Sequence, residues 1–82
     1  MSSAAYRYRL GCAVPLLETA QDLALGIRLF DKEAHVHIKE SAEDDFWDIV
    51  ALFNLDGGKA AFGMLSLLFT NAVEQVGGRE LS

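Results

Sequence analysis

Residues 41–78 read SAEDDFWDIVALFNLDGGKAAFGMLSLLFTNAVEQVGG, and the fold assigned to the whole chain depends on this stretch. Ser41, with Asp44 three residues later, resembles the capping box that opens many helices. The acidic residues around it place negative charge where a helix dipole favours it. We therefore expect a helix to begin near Ala42. Its main apolar face, at helical spacing, would consist of Phe46, Ile49, Val50 and Phe53.

A more apolar helix is expected over about residues 59–76, after a turn formed by Asp56, Gly57 and Gly58. Gly77 and Gly78 would end it, because glycine readily adopts the left-handed conformation that closes a helix. The sequence thus predicts an apolar helix pair within residues 42–76.

The chain before this pair begins with a strand and a helix. Residues 6–10 (YRYRL) alternate apolar and basic side chains, which is typical of a half-buried strand. Pro15 suits the first position of a helix, where its missing N–H costs nothing. Apolar residues then recur at helical spacing, and we expect this helix over residues 15–25, with Gly26 closing it.

A β-hairpin is expected next, because the pattern changes to a period of two. Residues 31–34 (DKEA) fit a type I turn with Asp31 at its first position. The turn would join strands at 27–30 and 35–39. In that register the apolar side chains share one face, and a slip of one residue would mix the two faces. The shared apolar face would consist of Ile27, Leu29, Val36 and Ile38.

The resulting order, β-α-β-β-α-α, predicts an α+β fold with a small three-stranded antiparallel or mixed sheet and helices packed on one face. Its first connections are those of a split βαβ unit, in which the first strand lies beside the third. At 82 residues the chain is expected to be a single domain over 1–82, with frayed tails at 1–4 and 79–82.

Composition and charge narrow the class of protein. The hydrophobic content of 51% argues against disorder and leaves more apolar surface than a small core hides. A net charge of −5 repels phosphate backbones, so no direct nucleic-acid binding is expected. The single cysteine cannot form an internal disulfide, which favours a cytoplasmic protein. The longest apolar run, 60–69, is about half of a membrane span, so no membrane association is expected.

Five carboxylates lie within nine residues and form a candidate acidic patch for a basic partner. Acids at a helix N-terminus also complement the helix dipole and keep an apolar helix soluble, and this second interpretation is the favoured one. The acidic patch consists of Glu40, Glu43, Asp44, Asp45 and Asp48.

Three further side chains are candidates for chemistry. His35 and His37 point to the same strand face, where they could ligate a metal together, but the spacing fixes no third ligand. A solvated or pH-responsive patch is the favoured interpretation. Cys12 precedes a helix whose N-terminus could lower its thiol pKa, yet a small buried cysteine is the favoured interpretation. No catalytic residue, metal or cofactor is predicted.

Trp47 is the leading candidate for a partner interface. Adjacent helical residues project about 100° apart, so Phe46 and Trp47 cannot both face one core stripe. Trp47 would then meet the edge of the sheet or another molecule, or be partly covered by a helix of its own chain. The candidate partner interface consists of Trp47, Leu52, Met64 and Leu67.

The first half of the chain is similar to the histidine-containing phosphocarrier protein in the order of its elements: a strand, a loop and helix start reading GCAVP, then a hairpin and a helix. No histidine lies in residues 11–15 to accept a phosphoryl group. The resemblance therefore implies no phosphotransfer function.

The sequence favours a small acidic, non-enzymatic protein-interaction module or regulator, homodimeric through the apolar helix pair 42–76. An alternative is an inhibitor, for example phage-encoded, that presents the acidic patch to a basic nucleic-acid-handling protein. A small enzyme that uses Cys12 or His37 is the least favoured alternative.

Overall fold

The computed structural model describes residues 6–54 and 58–81. Along the chain its elements are β1 (Tyr8–Val14), α1 (Leu17–Phe30), β2 (His35–Glu40), β3 (Trp47–Phe53), α2 (Gly58–Gln75) and β4 (Arg79–Glu80). The predicted tail at 1–4 lies outside the described residues.

The four strands form one sheet in the order β2-β3-β1-β4, and all three strand pairs are antiparallel. The α+β class is confirmed. The predicted placement of the first strand beside the strand at 35–39 is wrong, because β1 pairs with β3 and β4, whereas β2 pairs with β3. The prediction of three strands and three helices is wrong, because the described chain has four strands and two helices. This βαββαβ order with β1 and β3 adjacent is the split βαβ, or ferredoxin-like, arrangement.

The helix predicted from Ala42 is wrong, since residues 47–53 form the central strand β3. Its segment WDIVALF fits both the 3.6-residue period of a helix and the two-residue period of a strand. Counted in twos, Ile49, Ala51 and Phe53 share one face and are buried. A strand is stable here because β3 pairs with a neighbour on each side, along all seven residues with β1 and six with β2.

The residues that resembled a capping box form the loop between β2 and β3. The Glu43 N–H donates to Ser41 Oγ at 3.3 Å, and the Phe46 N–H donates to Asp44 Oδ1 at 3.0 Å. The Ser41 N–H donates to the Phe46 carbonyl at 2.9 Å and closes the loop. Short polar side chains bond nearby N–H groups in turns as readily as at helix starts, so the same residues serve either structure.

Helix α1 continues to Phe30, so the predicted strand over 27–30 is wrong. Gly26 remains within the helix, and Ile27 is buried with Ala20 and Ala24 on the same helical face. The turn at 31–34 is confirmed, with the Ala34 N–H donating to the Asp31 carbonyl at 3.1 Å. It joins a helix to a strand instead of joining two strands.

Helix α2 agrees with the prediction for 59–76 to within one residue at each end. Gly77 has a φ of +77°, and the Gly78 N–H donates to the Val73 carbonyl at 2.9 Å, as in a Schellman motif. The predicted frayed tail is wrong at 79–80, because β4 pairs with Cys12 and Ala13 of β1. A Cβ on Gly78 would lie 2.7 Å from the Ala13 carbonyl oxygen, so glycine permits this close approach.

Both helices pack on one face of the sheet, as predicted. The buried core consists of alternate residues of β1 and β3 together with one side of each helix. Its largest fully buried side chains are Phe53, Ile27, Ile49, Val14, Val73 and Cys12. The opposite sheet face, which we call the open face, carries the intervening residues, among them His35 and His37 of β2 and Leu52 of β3.

Candidate functional site

The outer surface of the two helices carries exposed apolar side chains. Between α1 and α2 lies a shallow groove of about 160 Å³, to which Asp22 contributes the one charged side chain. We call this feature the helical groove. It is lined by Asp22, Leu23, Gly26, Ile27 and Phe30 of α1 and by Leu65, Leu68, Phe69 and Ala72 of α2.

The helical groove is bordered by large side chains that the fold leaves in solvent. Phe30 is 50% exposed and Leu68 is 51% exposed. On the outward side of α2, Met64 is 65% exposed and Leu67 is 63% exposed. Contiguous apolar surface of this kind is typical of a protein contact site.

The four predicted interface residues do not form one surface. Met64 and Leu67 are exposed on α2, beside the helical groove. Trp47 is half-buried and packs against the core of its own chain. Leu52 lies on the open face, on the other side of the sheet from Met64 and Leu67.

Sequence reasoning missed the contribution of α1 to this surface. Leu29 is 81% exposed, and Phe30 lines the helical groove. Both fall within the strand that the sequence predicts over 27–30. The available signal was the spacing of Leu23, Ile27 and Phe30, which continues the helical pattern through Gly26.

The acidic residues are grouped around the β2–β3 loop. Glu40, Glu43, Asp44 and Asp45 are exposed there, whereas Asp48 is half-buried on the open face. Asp44 Oδ2 forms an ion pair with Arg79 Nη1 at 2.7 Å. The Phe46 N–H hydrogen bond and Arg79 hold the pKa of Asp44 below its ordinary value. One of the five carboxylates is therefore already paired within the chain.

Cys12 is completely buried in the central part of the sheet and its thiol is free. Burial raises its pKa to about 12, and the nearby carboxylates of Asp48 and Glu80 add to the effect. The favoured interpretation of Cys12 as a small buried cysteine is confirmed, and the alternative of a pKa lowered by the following helix is wrong. A thiol with so high a pKa is a poor nucleophile at neutral pH, because the thiolate is the reactive form.

The two histidines lie together on the open face at the exposed edge of the sheet. Their Nε2 atoms are 2.7 Å apart, and the rings meet edge to face at an angle of 74°. In residues 6–54 and 58–81 there is no group of three or more His, Cys, Asp or Glu side chains arranged to hold a metal ion.

Comparison with models of known protein families and with curated proteins found no match to this chain. Within the described residues, neither helix has the combination of length and hydropathy that crossing a membrane requires.

Proposed function

We propose that this protein is a small, non-enzymatic interaction module that forms a homodimer through the outer surface of α1 and α2. The observation that carries the proposal is the helical groove with the exposed side chains beside it. The interface predicted from the sequence is thereby relocated: Met64 and Leu67 remain in it, Phe30 and Leu68 join it, and Trp47 and Leu52 leave it.

The size of the chain supports an assembly. Its accessible surface is 5624 Å², and a standard interface of about 800 Å² per partner would cover roughly one seventh of it. Buried apolar area contributes about 25 cal/mol per Å², so covering the exposed leucine, methionine and phenylalanine side chains would stabilise this small domain.

A second copy of the chain suits this surface because the surface combines the helical groove with the protruding side chains of Met64 and Leu67. In a two-fold dimer the same patch contacts itself, so Met64 and Leu67 of one protomer can enter the helical groove of the other. Each chain carries a charge of −5, so the two copies repel each other at low salt. We therefore expect added salt to strengthen the dimer.

The oligomeric state tests the proposal directly. Size-exclusion chromatography with light scattering should give twice the 9.0 kDa chain mass at high concentration. Leu68→Asp should reduce that mass to the monomer value, because a charge in the helical groove cannot be buried unpaired. Leu16→Asp is the matched control, since Leu16 is 64% exposed at the other end of α1, outside the groove.

A monomeric wild-type chain at all concentrations would remove the proposal. If Leu68→Asp and Leu16→Asp lowered the mass of the assembly equally, the cause would be the added negative charge and not the helical groove.

An antagonist of a basic protein is the second candidate, favoured by the exposed β2–β3 loop. Within the described chain, Arg79 is the cation that pairs with these acids, which leaves Glu40, Glu43 and Asp45 available to a basic surface. Binding to a lysine-rich peptide should weaken steeply with salt and in Glu43→Gln. Glu18→Gln, an exposed acid on α1, is the control. The opposite salt dependence separates this activity from dimerisation.

The proposal also includes a cytoplasmic location and the absence of catalysis. Both are supported by Cys12, because a free thiol is typical of reducing compartments and its raised pKa leaves little thiolate at neutral pH.

A further inference from the structure

The histidines of β2 carry an inference that does not depend on dimerisation. We propose that His35 and His37 form a two-imidazole chelating site for a divalent metal ion with square-planar preference, Cu²⁺ above Ni²⁺. The observation behind it is the convergence of the two Nε2 atoms, 2.7 Å apart at the exposed edge of the sheet.

The backbone of β2 places both histidine rings on the same face of the sheet. His35 and His37 are alternate residues of a strand, so they project from the same face. That strand is paired with β3, His35 opposite Leu52 and His37 opposite Val50. The Tyr6 ring stacks on the His35 ring with the centroids 6.4 Å apart. Donor atoms on a paired strand lose less entropy on binding a metal than donor atoms on a loop.

The imidazoles are in a suitable chemical state. Two Nε2 atoms at hydrogen-bonding distance require one ring to present its lone pair at Nε2, because two protonated nitrogens would repel each other. To bind a metal through both Nε2 atoms, the ring that carries its hydrogen at Nε2 shifts that hydrogen to Nδ1, so that both Nε2 lone pairs are available. Both rings then turn about χ2, a torsion with broad minima, until the two lone pairs converge on one ion.

The two donor atoms are close enough to share one ion. Two nitrogens about 2.0–2.1 Å from a tetrahedral zinc ion lie roughly 3.3 Å apart, and neighbouring positions of a square-planar ion at similar bond lengths lie about 2.9 Å apart. The 2.7 Å hydrogen bond between the free rings lies near the lower of these values, and the preference among metals follows from the chemistry of the ions. Cu²⁺ and Ni²⁺ favour square-planar geometry, and Cu²⁺ binds nitrogen ligands most strongly of the common divalent ions. The two remaining positions open to solvent and would take water.

The test uses the full chain without a histidine tag, with Cu²⁺, Ni²⁺ and Zn²⁺ salts as probes. Calorimetry gives the affinities, and NMR follows the imidazole protons, since the chain contains two histidines. Cu²⁺ is expected to bind most tightly and to broaden the signals of both rings. His37→Asn should weaken Cu²⁺ binding by about tenfold or more, because half of the protein ligands are lost.

Lys39→Asn is the matched control, because Lys39 is exposed on the same strand and the same face, two residues beyond His37. It should bind Cu²⁺ as the wild type does. Undiminished Cu²⁺ affinity in His37→Asn, or broadening of neither ring, would overturn the site. Equal affinities for Cu²⁺ and Zn²⁺ would overturn the preference for Cu²⁺.

Discussion

Cys12 couples the stability of the protein to alkaline pH. Its pKa is about 12 in the folded chain against an ordinary value of 9.0. The unfolded chain therefore loses this proton first as the pH rises. The stabilisation is fully present below about pH 9 and is lost progressively as the pH approaches 12.

We expect the free energy of unfolding to fall above pH 9 by up to about 1.4 kcal/mol per pH unit from this group. Urea denaturation across that range measures the slope, and Cys12→Ala should flatten it. An identical slope in Cys12→Ala would assign the effect to other groups. The native thiol should also react with iodoacetamide far more slowly than the unfolded one.

Glycines at three positions should respond differently to alanine. A Cβ on Gly78 would lie 2.9 Å from the Val14 and Val73 side chains as well as against the Ala13 carbonyl, whereas a Cβ on Gly63 or Gly26 would meet nothing within 4 Å. Gly78→Ala should therefore destabilise the protein by about 1–3 kcal/mol. Gly63→Ala and Gly26→Ala should stabilise it by about 0.5–1 kcal/mol, because alanine favours helix interiors. Thermal denaturation distinguishes the two signs.

At the scale of elements, α1 begins without a side-chain cap. Leu16 occupies the N-cap position with extended backbone angles and no capping hydrogen bond, and its side chain is exposed. Leu16→Asp should add a cap to the first turn and stabilise the protein by about 1 kcal/mol. Chemical denaturation measures the gain. Leu25→Asp, an equally exposed position inside the same helix, should give no gain.

The correctly predicted elements are those whose sequence fits one type of structure. These are the strand at 35–39, the turn at 31–34 and the long helix α2. WDIVALF fits two, and its assignment as a strand depends on β1, which pairs with it from more than 30 residues away. Propensity within a short apolar window contains no information about such a partner.

The errors at Gly26 and β4 have a related cause. Glycine ends a helix only if the chain then turns, and burial of Ile27 keeps α1 helical instead. β4 has two residues, so its sequence offers no period to recognise. The exposure of Met64 and Leu67 was predictable, because α2 has apolar residues on nearly every side. The exposure of Leu29 and Phe30 on the outside of α1 could not be predicted, because the sequence pattern places 27–30 in a strand.

For the whole molecule, dimerisation should make the melting temperature depend on concentration. A dimer that separates on unfolding gains stability by mass action, so Tm should rise by roughly 3–5 °C for each tenfold increase in protein concentration. Differential scanning fluorimetry over a hundredfold range measures this. Leu68→Asp should show a constant Tm. A constant Tm in the wild type would argue against a dimer coupled to folding.

The β2–β3 loop has a consequence for how the chain folds. Paired residues of β2 and β3 are 7 to 17 positions apart in sequence, whereas those of β1 and β3 are 33 to 45 positions apart. Closing the shorter loop costs less entropy, so this hairpin should form early. Ser41→Ala removes the hydrogen bond that Ser41 Oγ accepts from the Glu43 N–H within this loop and, unlike a change at Asp44, leaves the ion pair to Arg79 in place. It should slow folding more than it speeds unfolding.

Stopped-flow measurements test this order of events. Thr70→Val provides the contrast, because it removes the 2.8 Å bond from Thr70 Oγ1 to Glu80 Oε1 at β4 and should act mainly on the unfolding rate. Residues 41–46, whose sequence resembles the start of a helix, would then determine how fast the sheet forms.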